Sequence, residues 1–188
     1  MTGDIEYYRT EKQEKPEYSH LILDFSDRHS LAYINKRKLG KVLLTEDKKD
    51  FIKEHDLGPD AMSMTKKQFR KILKDSNGMI KTKLMDQSEI AGIGTIYSDE
   101  ILYQAGVHPE KKISRLKDKE INSVYTAMKR VLKVAVRHKS QPDDLPSSYL
   151  LKNRKQGADC GKCSGNIRKK TIGGRSAYFC PKHQKQIS

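Results

Sequence analysis

The chain has 188 residues, 33% of them charged and 35% hydrophobic, so its apolar core is modest and divides among one medium or two to three small domains. Thirty-eight basic against 24 acidic residues leave a net charge of +14, which calls for an anionic partner, nucleic acid or an acidic membrane surface. No apolar run approaches the ~20 residues that span a bilayer. Residues 1–6 carry no basic or apolar leader, so the expected location is intracellular, cytoplasmic and DNA-associated; there, three cysteines suggest metal rather than disulfides.

Residues 1–18 are charge-rich, with 12–16 reading as a loop. Leu21, Leu23 and Phe25 then alternate with Ile22 and Asp24, which predicts a strand. A turn at Asp27-Arg28 leads to a second strand over 30–34, and Val42-Leu43-Leu44 suggests a third. These make an antiparallel sheet with no obvious second layer to bury its apolar face. The basic stretch 35–41 suits either solvation or contact with phosphates.

Gly58-Pro59 breaks the chain, and helical patterns follow. Residues 65–74 turn Phe69, Ile72 and Leu73 inward, and 81–88 form a short helix. Gly92 and Gly94 lack Cβ atoms, so the backbone can turn sharply before a helix over 95–104. Such a turn presents free N–H groups at a helix N-terminus, a phosphate site; a bare Gly-x-Gly is also a common packing device. His108, before Pro109, reads as a turn residue rather than a ligand. The longest helix runs over 118–138, with Ile121, Val124, Tyr125, Met128, Val131, Leu132, Ala135 and Val136 as its core stripe and Lys129, Arg130, Lys133 and Arg137 opposite. Pro142 and Pro146 close it.

Cys160, Cys163, Cys180 and His183 stand in the spacing C-x2-C-x16-C-x2-H, two knuckles that together offer four ligands to a tetrahedral Zn²⁺. With no ligand position left for water, the zinc is structural, and a hairpin of 167–172 with 176–179 across Gly173-Gly174 depends on it. Ten Lys or Arg against Asp159 alone give residues 148–188 a charge of +9. Arg175, beside the hairpin turn, is either an exposed turn residue or a phosphate clamp.

Ile80-Lys81, Leu84-Met85-Asp86-Gln87, Ala91-Gly92-Ile93-Gly94, Ile96-Tyr97-Ser98-Asp99-Glu100 and Ala105-Gly106-Val107-His108-Pro109 occur in the order of a helix–two-turn–helix. This segment resembles the formamidopyrimidine-DNA glycosylase / endonuclease VIII (Fpg/Nei) family, and residues 175–181, Arg175 to Pro181, resemble its zinc finger. Residues 18–60 resemble the second half of its β-sandwich. The resemblance implies an α+β chain: a partial antiparallel β-sandwich at 1–60, a helix–two-turn–helix domain at 61–147 and a zinc finger at 148–188.

In that family the lysine matching Lys81, the turn matching Gly92 and Gly94, and the finger arginine matching Arg175 grip phosphates around a lesion. Thr95 stands where the family has Asn. Met1, Arg37 and Leu39 fall on residues that fill the gap left by an everted base, Leu39 without the aromatic ring. The family's last zinc ligand is commonly Cys; here it is His183. The family opens on a Met-Pro-Glu segment with a proline-amine nucleophile, absent from this sequence, so no catalytic residue is assigned. The implied function is damaged-DNA binding in base-excision repair. The implied partner is duplex DNA with oxidised bases or abasic sites, and glycosylase and lyase chemistry is expected to be incomplete in this chain alone. The expected state is a monomer off the membrane, with a separately encoded N-terminal fragment as one source of the missing segment. The other readings are a non-catalytic DNA-binding module and an RNA- or ribosome-binding zinc protein.

Overall fold

The computed structural model describes residues 3–138 and 144–185, which divide into two compact units at Asp47/Lys48. The first unit is a three-stranded antiparallel sheet of β1 (Gly3–Arg9), β2 (Ser19–Asp24) and β3 (His29–Asn35) in the order β1-β3-β2. Phe25 N–H donates to His29 O (2.9 Å), and Arg28 adopts positive φ (64°), closing the predicted turn. The register sets Ile5 and Leu21 beside Tyr33, and Tyr7 and Leu23 beside Leu31, so one face carries an apolar ladder. Ile5 (64%) and Tyr7 (57%) of that ladder are exposed.

The expected strand at 42–44 does not form, and Val42, Leu43 and Leu44 are exposed coil. The third strand is β1 instead. It pairs with one edge of β3, the central strand, and β2 pairs with the other.

The second unit opens with α1 (Lys48–Glu54) and packs α2 (Lys66–Lys74), α3 (Ile80–Leu84), α4 (Thr95–Ala105) and α5 (Asp118–Arg137) around one core. Phe69 and Leu73, Ile80 and Leu84, Ile101 and Leu102, and Val124, Met128 and Val131 meet there. The α5 stripe is buried as predicted at Val124, Met128, Val131, Leu132 and Ala135, whereas Val136 is exposed. Residues 98–103 of α4 are all buried, so this helix is enclosed by neighbours on every side beyond its first turn. β4 (Arg168–Ile172) and β5 (Arg175–Phe179) then form the expected hairpin, with Gly173 (φ 56°) and Gly174 (φ 71°) supplying the two positive φ angles of its turn.

Thr65 caps α2 reciprocally. Gln68 N–H donates to Thr65 Oγ1 (3.3 Å), and Thr65 N–H donates to Gln68 Oε1 (2.8 Å). Thr65→Ala should therefore cost about 1 kcal/mol, read as a lower urea midpoint with an unchanged slope.

Candidate nucleic-acid interface

The glycine turn is built from beneath. Ala61 N–H donates to Ala91 O (2.9 Å), and Ala91 N–H to Pro59 O (3.1 Å). Gln87 braces it by accepting from Gly92 N–H (3.0 Å) and donating to Ile93 O (2.8 Å). Gly92 has φ 94°, a conformation L side chains rarely adopt, so glycine is required by the backbone. Gly94 is extended, and a Cβ there would meet only open space. Its contribution is to leave the mouth of α4 bare. No side chain caps that first turn, Gly94 is exposed, and Thr95 is half-buried beside it. Exposed N–H groups at the positive end of an 11-residue helix suit an anionic oxygen.

Lys81 is elsewhere. Its side chain has no solvent exposure. Nζ reaches Asp99 Oδ1 (2.6 Å), Ser98 Oγ (3.0 Å) and Thr95 O (3.3 Å). An ammonium has three protons, and all three are engaged. None is left for a phosphate, so Lys81 acts from inside, under the first turn of α4. Burial lowers the Lys81 pKa and raises that of Asp99, each opposed by the other's charge. Asp99 is also fully buried and accepts from Arg154 Nε (3.2 Å), Arg154 Nη2 (2.9 Å) and Tyr178 N–H (3.1 Å). Glu100 is equally buried, accepting from Gln104 Nε2 (2.7 Å) and Leu151 N–H (2.9 Å).

The sulfurs of Cys160, Cys163 and Cys180 lie within 4.8 Å of one another, a possible metal site. Burial raises the Cys160 thiol, but hydrogen bonds from Tyr103 and the Lys162 N–H outweigh it and leave the group below its ordinary value. Burial pushes Cys180 up, to about 11. Sulfurs this close cannot all ionise without a counter-cation, and the donor set fits a thiophilic, tetrahedral ion such as Zn²⁺.

His183 is not gathered with the three sulfurs. Its Nε2 lies 2.8 Å from Tyr103 O; a carbonyl only accepts, so Nε2 carries the proton and Nδ1 the lone pair. That tautomer, oriented by a backbone carbonyl, is the one a metal-ligating imidazole uses. Two buried groups that the spacing did not single out anchor the knuckles to α4 and the residues just after it. Tyr103 Oη lies 3.1 Å from Cys160 Sγ, and Gln184 accepts from Cys180 N–H (3.0 Å) while donating to Val107 O (2.9 Å). His108 is the expected turn residue: its Nδ1 accepts from Glu110 N–H (3.2 Å), and its ring packs edge-on against Phe179.

Arg168, Lys169, Lys170 and Arg175 are exposed on the hairpin. A Cβ at Gly173 would overlap the Thr82 methyl, so the hairpin tip sits directly on α3. In the first unit, Arg37 and Leu39 line a cavity of about 530 Å³ with Gly3, Asp4, Ile5, Tyr33, Asn35 and Gly40. Leu39 is 76% exposed. Met1 lies outside the described residues. No helix among those residues is long and apolar enough to cross a membrane.

Residues 57–144 match the family model of the formamidopyrimidine-DNA glycosylase H2TH domain. A formamidopyrimidine-DNA glycosylase of Listeria innocua is 34% identical over 93% of this chain and 69% of its own length. That of Bacillus subtilis is 32% identical over 94% of this chain and 70% of its own. Among solved structures, the Lactococcus lactis Fpg in complex with abasic-site DNA aligns with 99% of this chain and 73% of its own (TM-score 0.79, 28% identity). MutM in complex with carbocyclic 8-oxo-G DNA aligns with 99% and 72% (TM-score 0.78, 29% identity).

Proposed function

The chain belongs to the formamidopyrimidine-DNA glycosylase family, and from that premise we propose that it is a damaged-DNA-binding protein of base-excision repair. The observation that carries the reading is the pairing, within one compact unit, of an uncapped helix mouth at Gly92–Gly94–Thr95 with an exposed basic hairpin bearing Arg175. The first offers fixed N–H donors to one phosphate, and the second offers a guanidinium fork to another. Arg37 and Leu39 are proposed to enter the duplex where a base is displaced. One Zn²⁺, held by Cys160, Cys163, Cys180 and His183 through Nδ1, is proposed to fix the hairpin. The preferred substrate is duplex DNA with an abasic site or an oxidised base, as in the complexes of its relatives.

Titrating an abasic-site duplex at several salt concentrations tests this. The affinity should fall by about 0.9 log units per phosphate contact for each log unit of salt. Arg175→Ala should weaken binding uniformly across sequences and reduce that slope by about one contact. Equal or tighter binding to structured RNA, or an unchanged slope in Arg175→Ala, would overturn the assignment.

A further inference from the structure

Asp99 sits on α4 four residues beyond Thr95, the first residue of the bare helix mouth. Its one carboxylate joins three segments distant in sequence. Oδ1 accepts from Lys81 on α3, and Oδ2 accepts from Arg154 and from the backbone N–H of Tyr178. Tyr178 lies on β5, the strand that begins with Arg175. β5 is therefore held along one edge by β4 and along the other by this carboxylate. Arg154 clamps the same residue a second way, with its guanidinium 4.3 Å from the centre of the Tyr178 ring. On the other side, Lys81 ties Asp99 to the carbonyl of Thr95 and the hydroxyl of Ser98, within the first turn of α4. A chain of direct bonds thus runs from the helix mouth through Lys81, Asp99 and Tyr178 to the strand of Arg175.

An apolar cluster could glue α4 to the finger just as firmly, and at lower desolvation cost. What apolar contacts lack is direction. A carboxylate fully bonded to two cations and a backbone N–H permits one height and one angle of β5 on α4. We propose that Asp99 is a positioning residue that sets Arg175 at a fixed offset from the α4 mouth, so that both meet one DNA backbone at once. The proposal rests on the DNA-binding reading above. Its energetic content is an effective-concentration effect: a preset second contact adds to the first without paying again for alignment.

The test is a double-mutant cycle of Asp99→Asn and Arg175→Ala, read as the dissociation constant for an abasic-site duplex, with zinc content and melting temperature measured on each variant. Asp99→Asn keeps the side-chain shape but cannot serve Lys81, Arg154 and Tyr178 together. If Asp99 acts through Arg175, Asp99→Asn should weaken binding about tenfold in the parent and about twofold or less beside Arg175→Ala, a coupling of the size seen between linked residues. Arg154→Leu, which removes two of the four hydrogen bonds to Asp99, should give the same non-additivity, and it carries the test if Asp99→Asn fails to fold. Strictly additive losses, with zinc and folding retained, would reduce Asp99 to a stabilising ion pair and overturn the proposal, while leaving DNA binding standing. A parent protein that binds no duplex would instead overturn the DNA reading, and the positioning role with it.

Discussion

A chelator strong enough to strip the thiol site should unfold the finger, leave the helical core intact and remove most of the affinity for damaged DNA. The two parts of the second unit differ in what holds them. The helical core buries Phe69, Leu73, Ile80, Leu84, Ile101, Leu102, Val124, Met128 and Val131 against one another and needs no metal. The finger's cluster consists of Tyr103, Leu150, Ile167, Cys160 and Cys180, so two of its five members are thiols of the proposed metal site and one belongs to α4. A two-stranded hairpin is at best marginal in water. The burden falls on the metal, which contributes about 10–16 kcal/mol of apparent binding energy to structural zinc fingers. Without it, the knuckles meet through weak thiol contacts such as Cys163 Sγ to Cys180 Sγ (3.6 Å), and burial pushes the Cys180 thiol up to about 11. Cys180→Ser should reproduce the effect. The measurements are metal content by mass spectrometry and hairpin amide signals by NMR. DNA affinity should fall further than in Arg175→Ala, because Arg168, Lys169 and Lys170 are lost with it. Retained hairpin signals and retained affinity in the metal-free chain would remove the metal from the account.

Patterns that repeat along one element were legible in the sequence. The α5 stripe recurs over about four turns, and its buried positions follow it to Ala135. The C-x2-C spacing and the Gly173-Gly174 turn are local, so chain connectivity alone brings their parts together. Elements whose environment is set by distant segments were not legible. β1 alternates Ile5 and Tyr7 with Asp4 and Glu6 inside a charge-rich stretch, too short a signal to outweigh its surroundings. Val42-Leu43-Leu44 has the better strand composition, yet it is exposed coil, and no pattern within those three residues marks that. Helical periodicity assigns polar residues to solvent, but α4 is enclosed, and Ser98, Asp99 and Glu100 are buried with partners from 17 to 79 residues away. The family resemblance makes Lys81 a phosphate-gripping residue, whereas its side chain is fully buried. What its ammonium touches depends on Asp99, and no spacing rule joins those two positions.

The contrast between an interior and a surface lysine makes Lys81→Met the sharpest test of that arrangement. The methionine fills most of the volume and removes the charge, leaving Asp99 with Arg154 as its cation and the Tyr178 N–H, and Thr95 O without its ammonium donor. Breaking a buried pair from one side costs about 3–5 kcal/mol, because the remaining charge stays desolvated; loss of a surface phosphate contact stays within about 0.5 kcal/mol. Urea unfolding at neutral pH should therefore show a large drop in midpoint.

The pH dependence follows from the same charge. Burial already raises the Asp99 carboxyl above its ordinary 3.8, and losing Lys81 raises it further. A carboxyl whose folded pKa is raised takes up protons more readily folded than unfolded, so its penalty is present above the folded pKa and fades as pH falls toward 3.8. The deficit of Lys81→Met relative to the parent should shrink on acidification through that window. In DNA binding the variant should lose affinity while keeping the parent's salt slope, since no phosphate contact is removed. An unchanged urea midpoint together with a slope reduced by about one contact would place Lys81 on the phosphate backbone directly. The buried network would then be an arrangement that DNA binding dissolves.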